Sequence, residues 1–470
     1  MTIKHDTTIA APATGIGGAI AVIRISGPET FRIMSSVFRP VSKSTDIRKQ
    51  KGYTVHHGHI WENDQLVDEV LLTLFREPDS YTGEDSAEIS YHASPFIQHK
   101  LLELLTSLGA SVAMPGEFTM RAFLNGKMDL SQAEAVADII ASESEAAHRL
   151  AMTQLRGGFS KEIEKLRHEL LSFASLIELE LDFSEEDVIF ADRFSMTETI
   201  IRIKSLVDRL ASSFRLGNAI RKGIPVVIAG MTNVGKSSLL NVLLQEERAI
   251  VSEIPGTTRD TIEEVLHLGG LLFRFIDTAG LRKEEVRDKI EAKGIERTKV
   301  RLEKADIVLA VTEATDAAED ISSLADALRE LIPDPRTRLI LVINKSDLLP
   351  ADKLVVLKKH LSASCKIPVV FISAIRSEGI DELKRVLNES VATGAIDSPQ
   401  YIVTNARHYE ALARVSQSLG RALDGFRDGI PTELIATDVR QAIYYLGLIT
   451  GKITPDDILG EIFANFCIGK

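Results

Sequence analysis

Gly230-Met231-Thr232-Asn233-Val234-Gly235-Lys236-Ser237 sets two glycines, a lysine and a hydroxyl at the spacing G-x-x-x-x-G-K-S. That is the pattern of a loop closing around phosphate oxygens. The glycines let backbone amides approach with no Cβ in the way. Lys236 can neutralise charge on β- and γ-phosphates, and the Ser237 hydroxyl can ligate Mg²⁺. The helix expected to begin here, with Ser238 in its first turn, adds the favourable end of its dipole. An apolar run before the loop and a helical pattern after it supply the strand–loop–helix context that the motif requires.

Three further motifs follow in the order of one sheet. Asp277-Thr278-Ala279-Gly280 ends a short apolar run, where the acid can reach the metal's outer shell and Gly280 the γ-phosphate. Asn344-Lys345-Ser346-Asp347 ends another, and the Asp347 carboxylate can accept from guanine N1 and the exocyclic amine, a pairing adenine cannot offer. Ser373-Ala374-Ile375 is placed to meet guanine O6 through a backbone amide. Between the first two motifs lies Ser252-Glu253-Ile254-Pro255-Gly256-Thr257-Thr258-Arg259-Asp260. A switch threonine is needed there to complete Mg²⁺ coordination when the γ-phosphate is present, and Thr258 is the residue assigned.

Together these residues make a GTP site, but Leu281 stands where Ras-type GTPases carry the glutamine that orients water. Either turnover is negligible or a polar residue from elsewhere does that work. Glu284, Glu285, Asp288, Glu291 and Glu296 are the candidates in the acid-rich segment that follows.

The elements that must hold these motifs fall into three compositional regimes. Residues 1–127 mix β-branched runs (Ala19–Ile25, Glu69–Phe75) with Gly, Pro and Ser turns, the mark of an α+β domain. Residues 128–217 read as helical, with Ser131 and Glu134 as a capping box and an apolar stripe at Leu166, Leu170, Leu171, Phe173, Leu176 and Ile177. Residues 218–389 alternate strand and helix: Pro225–Ile228, Leu271–Ile276, Ile307–Val311, Leu339–Ile343 and Val369–Ile372 predict a mostly parallel, Ras-like sheet. Gly269-Gly270 between Ile262–Leu268 and Leu271–Ile276 predicts one antiparallel hairpin. Residues 390–470 are helical again, so the α/β domain is expected as an insertion in a helical one.

Composition bounds the rest. At 470 residues the chain is long enough for several domains. A net charge of −12 argues against a generally nucleic-acid-coated surface. A local basic patch can still meet RNA inside an acidic protein; the best candidate is Arg202, Lys204, Arg209, Arg215, Arg221 and Lys222, for which a solvated helix face plus a linker is the favoured reading. No run approaches the roughly 18 unbroken apolar residues of a membrane span. Cys365 and Cys467 lie far apart with no metal or redox spacing, which fits a reducing cytoplasm.

The whole chain resembles the bacterial tRNA-modification GTPases of the MnmE (TrmE) family. The resemblance rests on Gly230–Ser238 with Asn233, the Gly256–Asp260 switch, Asp277–Arg282 and the terminal Phe466-Cys467-Ile468-Gly469-Lys470. Arg24-Ile25-Ser26-Gly27, Tyr81–Asp85 and Arg121–Asn125 add to it. It implies that Glu291, in register with Gly294-Ile295-Glu296, holds the attacking water. It also implies a K⁺ ion in place of an arginine finger, bound by the Asn233 side chain and backbone oxygens of Ser252, Ile254 and Thr257. The N-terminal domain is then a homodimerising, tetrahydrofolate-binding fold, taking a 5-formyl or methylene derivative at Arg24, Glu88, Lys127 and Lys470. The implied partners are tRNA and the FAD-containing flavoprotein MnmG (GidA), and the implied product is a carboxymethylaminomethyl-type group on C5 of the wobble uridine. Cys467 is a candidate nucleophile toward RNA or a packed C-terminal thiol.

Two other readings stand beside this one. A GTPase domain with added modules could be a ribosome-assembly switch, but such factors usually carry an RNA-binding module after the GTPase domain. Here the tail reads as helix followed by Phe466–Lys470. A purely structural folate-sensing scaffold is the third.

Overall fold

The computed structural model describes residues 7–15, 17–42, 45–182, 193–248, 264–276, 302–392, 401–453, 456–464 and 466–469. The chain divides into two compact units, one of residues 1–141, 151–204 and 414–470, the other of residues 142–150 and 205–413.

The first unit opens with a seven-stranded sheet. Its strands are β1 (Ile9–Pro12), β2 (Ile20–Ser26), β3 (Phe38–Pro40), β4 (Thr54–Glu62), β5 (Gln65–Phe75), β6 (Ser86–His92) and β7 (Ser111–Val112), in the order β3-β4-β5-β6-β2-β1-β7. Strand side chains alternate between faces. Ala21, Ile23 and Ile25 of β2 and Ala87, Ile89 and Tyr91 of β6 therefore enter the core with helices Thr30–Val37 and Pro95–Ser107. Arg24 and Glu88 fall on the opposite face, directly across from each other in the β2–β6 register.

Helices complete this unit. Gly158–Asp182 lies beside Thr432–Thr450, although the whole α/β segment separates them in sequence, as an insertion requires. Leu166, Leu170, Phe173 and Ile177 are buried as the stripe predicts, whereas Leu171 and Leu176 are exposed, so the buried face is narrower than expected. The expected Ser131–Glu134 capping box is displaced by two residues. Asp129 is the N-cap and pairs reciprocally with Gln132, because the helix begins at Leu130. Ser131 then falls inside the first turn, buried, and accepts from Gln154 Nε2 at 3.2 Å.

The second unit holds a six-stranded sheet: β8 (Ile224–Ala229), β9 (Glu264–Leu268), β10 (Leu271–Phe275), β11 (Ile307–Glu313), β12 (Arg338–Asn344) and β13 (Val369–Phe371), in the order β13-β12-β11-β8-β10-β9. All pairs are parallel except the β9–β10 hairpin. Gly269 and Gly270 turn that hairpin with φ of 59° and 78°, values L-residues rarely adopt. Buried on both faces, β11 and β12 are near-continuous Val, Ile and Leu, the composition that made them legible.

At the N-terminal ends of these strands Arg215, on helix Phe214–Lys222, donates to Asp306 at 2.6 Å and Asp334 at 2.8 Å. The Arg336 side chain and amide, helped by the charge of Arg215, pull Asp334 from an ordinary 3.8 down to about 2. A depressed carboxylate contributes stability that is complete above its unfolded value and is lost as pH falls through its folded one. Asp334→Asn should therefore lower the melting temperature at pH 7 by the equivalent of about 1 kcal/mol, discounted for solvent screening. That gap should close between pH 4 and pH 2, and a gap constant over this range would show that the pair does not stabilise the fold.

Candidate functional site

The C-terminal ends of β8, β11 and β12, and the loop after β13, form a crevice of the kind in which open parallel sheets bind ligands. The loop after β8 needs its glycines. Gly230 has φ of 153° and a Cβ there would sit 2.1 Å from Val311 O, while Gly235 has φ of 90° and its Cβ would meet Asn344 Nδ2 at 2.2 Å. Lys236 is buried and curls back to donate to Gly230 O at 2.9 Å and Met231 O at 2.6 Å. A cradle that a Cβ would fill, with a buried ammonium at its mouth, fits a polyphosphate. Ser237 and Ser238 lie in the first turn of helix Lys236–Arg248.

Asn344 joins three of these loops. It is 2% exposed; its Nδ2 donates to Val234 O at 2.9 Å and its Oδ1 accepts from Ala374 N at 3.1 Å. The Ala374 amide thus ties the two loops together in this geometry. Lys345, at φ 58°, donates to Asn233 O at 2.9 Å and pairs with Glu313. Asp347 accepts from Ser373 Oγ at 2.7 Å, and Arg376 stands 3.9 Å away. The Ser373 hydroxyl, aided by Arg376, outweighs burial and holds the Asp347 carboxyl below the usual carboxylate range. An ionised Asp347 at the rim suits two N–H donors of a guanine edge.

A second polar cluster lies on the open face of the N-terminal sheet. Arg24 donates to Glu88 Oε1 at 2.9 Å and 2.8 Å and to Gly469 O at 3.4 Å. Its guanidinium lies over Tyr81 at 5.2 Å and Phe118 at 5.6 Å. The carboxy-terminal segment is held there by close fits. A Cβ on Gly469, at φ 91°, would lie 2.0 Å from Pro12 O; Phe466 packs on Phe463 at 5.2 Å; and Cys467 O accepts from Gly116 N at 3.4 Å. The Cys467 side chain is exposed, not packed. Lys127 donates to Pro78 O at 2.8 Å, on the turn that carries Tyr81. Arg24 is thus paired with an acid, flanked by two aromatic rings and met by the backbone of Gly469.

The family model described as MnmE helical domain matches residues 130–467, and that described as GTP-binding protein TrmE N-terminus matches residues 8–127. Proteins called tRNA modification GTPase MnmE are 50% identical in Flavobacterium psychrophilum and 49% in Flavobacterium johnsoniae, covering 100% of both chains. One from Bacteroides thetaiotaomicron is 49% identical over 99% of this chain and 100% of its own. The chain belongs to the MnmE (TrmE) family of tRNA-modification GTPases. The expected fold class holds, an α+β N-terminal domain, a helical domain and an inserted mostly parallel α/β domain.

Of the residues expected from that family, Arg24 and Glu88 are brought together, and Asn233–Ser238, Asn344–Asp347, Ser373 and Ala374 form one crevice. Ser252, Glu253, Ile254, Pro255, Gly256, Thr257, Thr258, Asp277, Thr278, Ala279, Gly280, Glu291 and Lys470 lie outside the described residues, as do Glu284, Glu285, Asp288 and Glu296. Within the basic stretch, Arg202 pairs with Glu169 and Arg215 with Asp306 and Asp334. Among the described residues no helix is long and apolar enough to cross a membrane, and no group of His, Cys, Asp or Glu could hold a metal.

Sequence reasoning took Ser26, Thr82, Glu84 and Arg121 only as marks of the family and missed how they support the N-terminal cluster. Arg121, 1% exposed, bonds Glu117 at 2.8 Å, Glu84 at 3.2 Å and Thr7 O at 2.7 Å. Ser26 Oγ meets Thr82 at 2.7 Å, Ser86 at 2.9 Å and Glu84 at 2.8 Å. This buried network fixes the turn beneath Arg24. Only the run of hydroxyls and acids at Ser80–Ser86 signals it, and a surface turn has the same composition. For the crevice, Asn344→Ala leaves a carbonyl and an amide without their partner at once. The expected loss is about 2–3 kcal/mol in thermal unfolding, with weakened guanine-nucleotide binding in fluorescence titration. Unchanged nucleotide affinity would remove Asn344 from the organisation of the loops.

Proposed function

We propose that this chain is a potassium-activated GTPase that acts with a flavoprotein partner on tRNA. The reaction uses a reduced-folate one-carbon unit to install a carboxymethylaminomethyl-type group at C5 of the wobble uridine. The observation that carries the reading is the convergence of phosphate loop, Asn344 brace and Asp347 on one crevice, in a chain that matches relatives called tRNA modification GTPases along their full length.

In this reading the loop amides and Lys236 bind and orient the β- and γ-phosphates, and Asp347 selects guanine. Ser237 and Thr258 would hold Mg²⁺, and the Asn233 side chain with backbone oxygens of Ser252, Ile254 and Thr257 would hold K⁺. The cations, when bound, offset charge developing between the β- and γ-phosphates. Glu291 orients the attacking water, the role that Leu281 cannot take. Arg24, Glu88, Lys127 and Lys470 bind the folate, with the homodimer formed through the N-terminal domain. The chain acts in the cytoplasm, and the flavin belongs to the partner.

Nucleoside analysis of tRNA from a strain lacking the gene tests the whole proposal. Wobble uridines should lose the C5 substituent, whereas intact modification with a ribosome-assembly defect would favour the switch reading instead. For the hydrolytic step, replacing K⁺ by Na⁺ at equal ionic strength should lower turnover by at least about 10-fold, the scale of losing an electrostatic partner of the transition state. Asn233→Ala should abolish the difference between the two salts. Equal wild-type rates in both would exclude K⁺ activation.

A further inference from the structure

The phosphate loop carries a non-glycine residue, Asn233, with φ of 66°. Asparagine is one of the few L-residues that enter the left-handed region readily, and contacts made by the loop decide how firmly it holds that shape. Here the contact is to the loop's own carbonyl: Asn233 O accepts from Lys345 Nζ at 2.9 Å. Lys345 has a long, flexible stem, and one hydrogen bond does not fix four side-chain torsions. Something must aim it.

Glu313, the last residue of β11, does so. One carboxylate oxygen takes the Lys345 ammonium and the other accepts from Thr315 Oγ1 at 3.3 Å. The backbone beneath is braced in turn. Glu313 N donates to Asp316 Oδ2 at 3.1 Å, Thr312 Oγ1 to the same atom at 2.6 Å, and Ala314 N to Asn344 O at 2.8 Å. The acid is thus held from a rigid central strand while the lysine it steers belongs to the guanine loop and the carbonyl it secures belongs to the phosphate loop. Both side chains are about a quarter exposed, Lys345 27% and Glu313 22%, so solvent screens the pair only in part.

We infer that Glu313 is a positioning residue for the nucleotide site: it fixes Lys345 against the Asn233 carbonyl and so keeps the phosphate loop in its left-handed, phosphate-accepting shape. The inference rests on the GTPase reading above. It assigns Glu313 no contact with the base, which Asp347 selects. Its removal should weaken the phosphate grip and leave base choice alone.

The test is a double-mutant cycle on the full chain, reading GDP and GTP affinity by fluorescence titration in Mg²⁺ and K⁺. Glu313→Ala should weaken both about ten-fold, the scale of one charge-assisted hydrogen bond. Lys345→Ala should do at least as much, and the double variant should be no worse than Lys345→Ala alone. Glu313→Gln, which keeps an acceptor without the charge, should recover part of the loss and guards against misfolding in the alanine variant. The preference for GTP over ITP should stay at its wild-type value in both Glu313 variants, which a collapsed guanine loop would not allow. Additive effects of the two alanine changes, wild-type affinity in Glu313→Ala, or a changed GTP-to-ITP ratio would overturn the inference. Failure of the wild-type chain to bind guanine nucleotides would instead overturn the GTPase reading itself.

Discussion

A single buried carboxamide, that of Asn344, carries the nucleotide crevice. A side-chain amide offers a donor and an acceptor in one rigid plane, so it can pair with two backbones that face each other but lie too far apart to bond directly. Asn344 spends its donor on Val234 O and its acceptor on Ala374 N. Gly235 must lack a Cβ because the carboxamide occupies that space. Lys345 and Asp347 follow within three residues, so the strand end that braces the phosphate loop also carries Asp347, the acid proposed to select the base. The places of the phosphate loop and of that acid both follow from where β12 stops.

The N-terminal unit solves a different problem, holding a cation and an acid opposite each other on two neighbouring strands. Alternation along β2 and β6 sends their branched residues to the core and leaves Arg24 and Glu88 facing each other on the open side. The pair is then enclosed by aromatic rings from Tyr81 and Phe118 and by the backbone at Gly469. Burial pushes the Tyr81 phenol up, and its hydroxyl lies 2.9 Å from Thr119 Oγ1. Helices Gly158–Asp182 and Thr432–Thr450 of the same unit pack together from either side of the α/β segment in sequence.

What could be read in advance follows from how local each cause is. β8, β11 and β12 are runs of branched residues buried on both faces, and the Gly269-Gly270 turn has a backbone demand that few other residues meet, so these elements declared themselves. The motifs at strand ends were legible because each needs particular residue types within a few positions. The helix start near residue 130 was misplaced by two residues because Ser131 and Asp129 both suit a cap, and only packing against Gln154 decides between them. The stripe on Gly158–Asp182 was read too wide because leucine is tolerated at a helix surface. Glu313 escaped notice because its partner lies 32 positions away, and an isolated acid in sequence says nothing about which charge it will meet.

The charges in the guanine loop show why this division of partners matters. Lys345 stands two residues from Asp347 in sequence, yet its ammonium turns to Asn233 O and Glu313. Asp347 is left with a neutral hydroxyl from Ser373 and a guanidinium at 3.9 Å. The distinction governs what base binding must displace. A close ion pair on Asp347 would have to be broken and its cation resolvated before guanine N–H groups could dock, a cost comparable to the gain. A hydroxyl favours the ionised carboxylate through one oxygen and leaves most acceptor capacity for the ligand. The site thus keeps Asp347 charged without neutralising it, a condition that sequence spacing alone cannot supply.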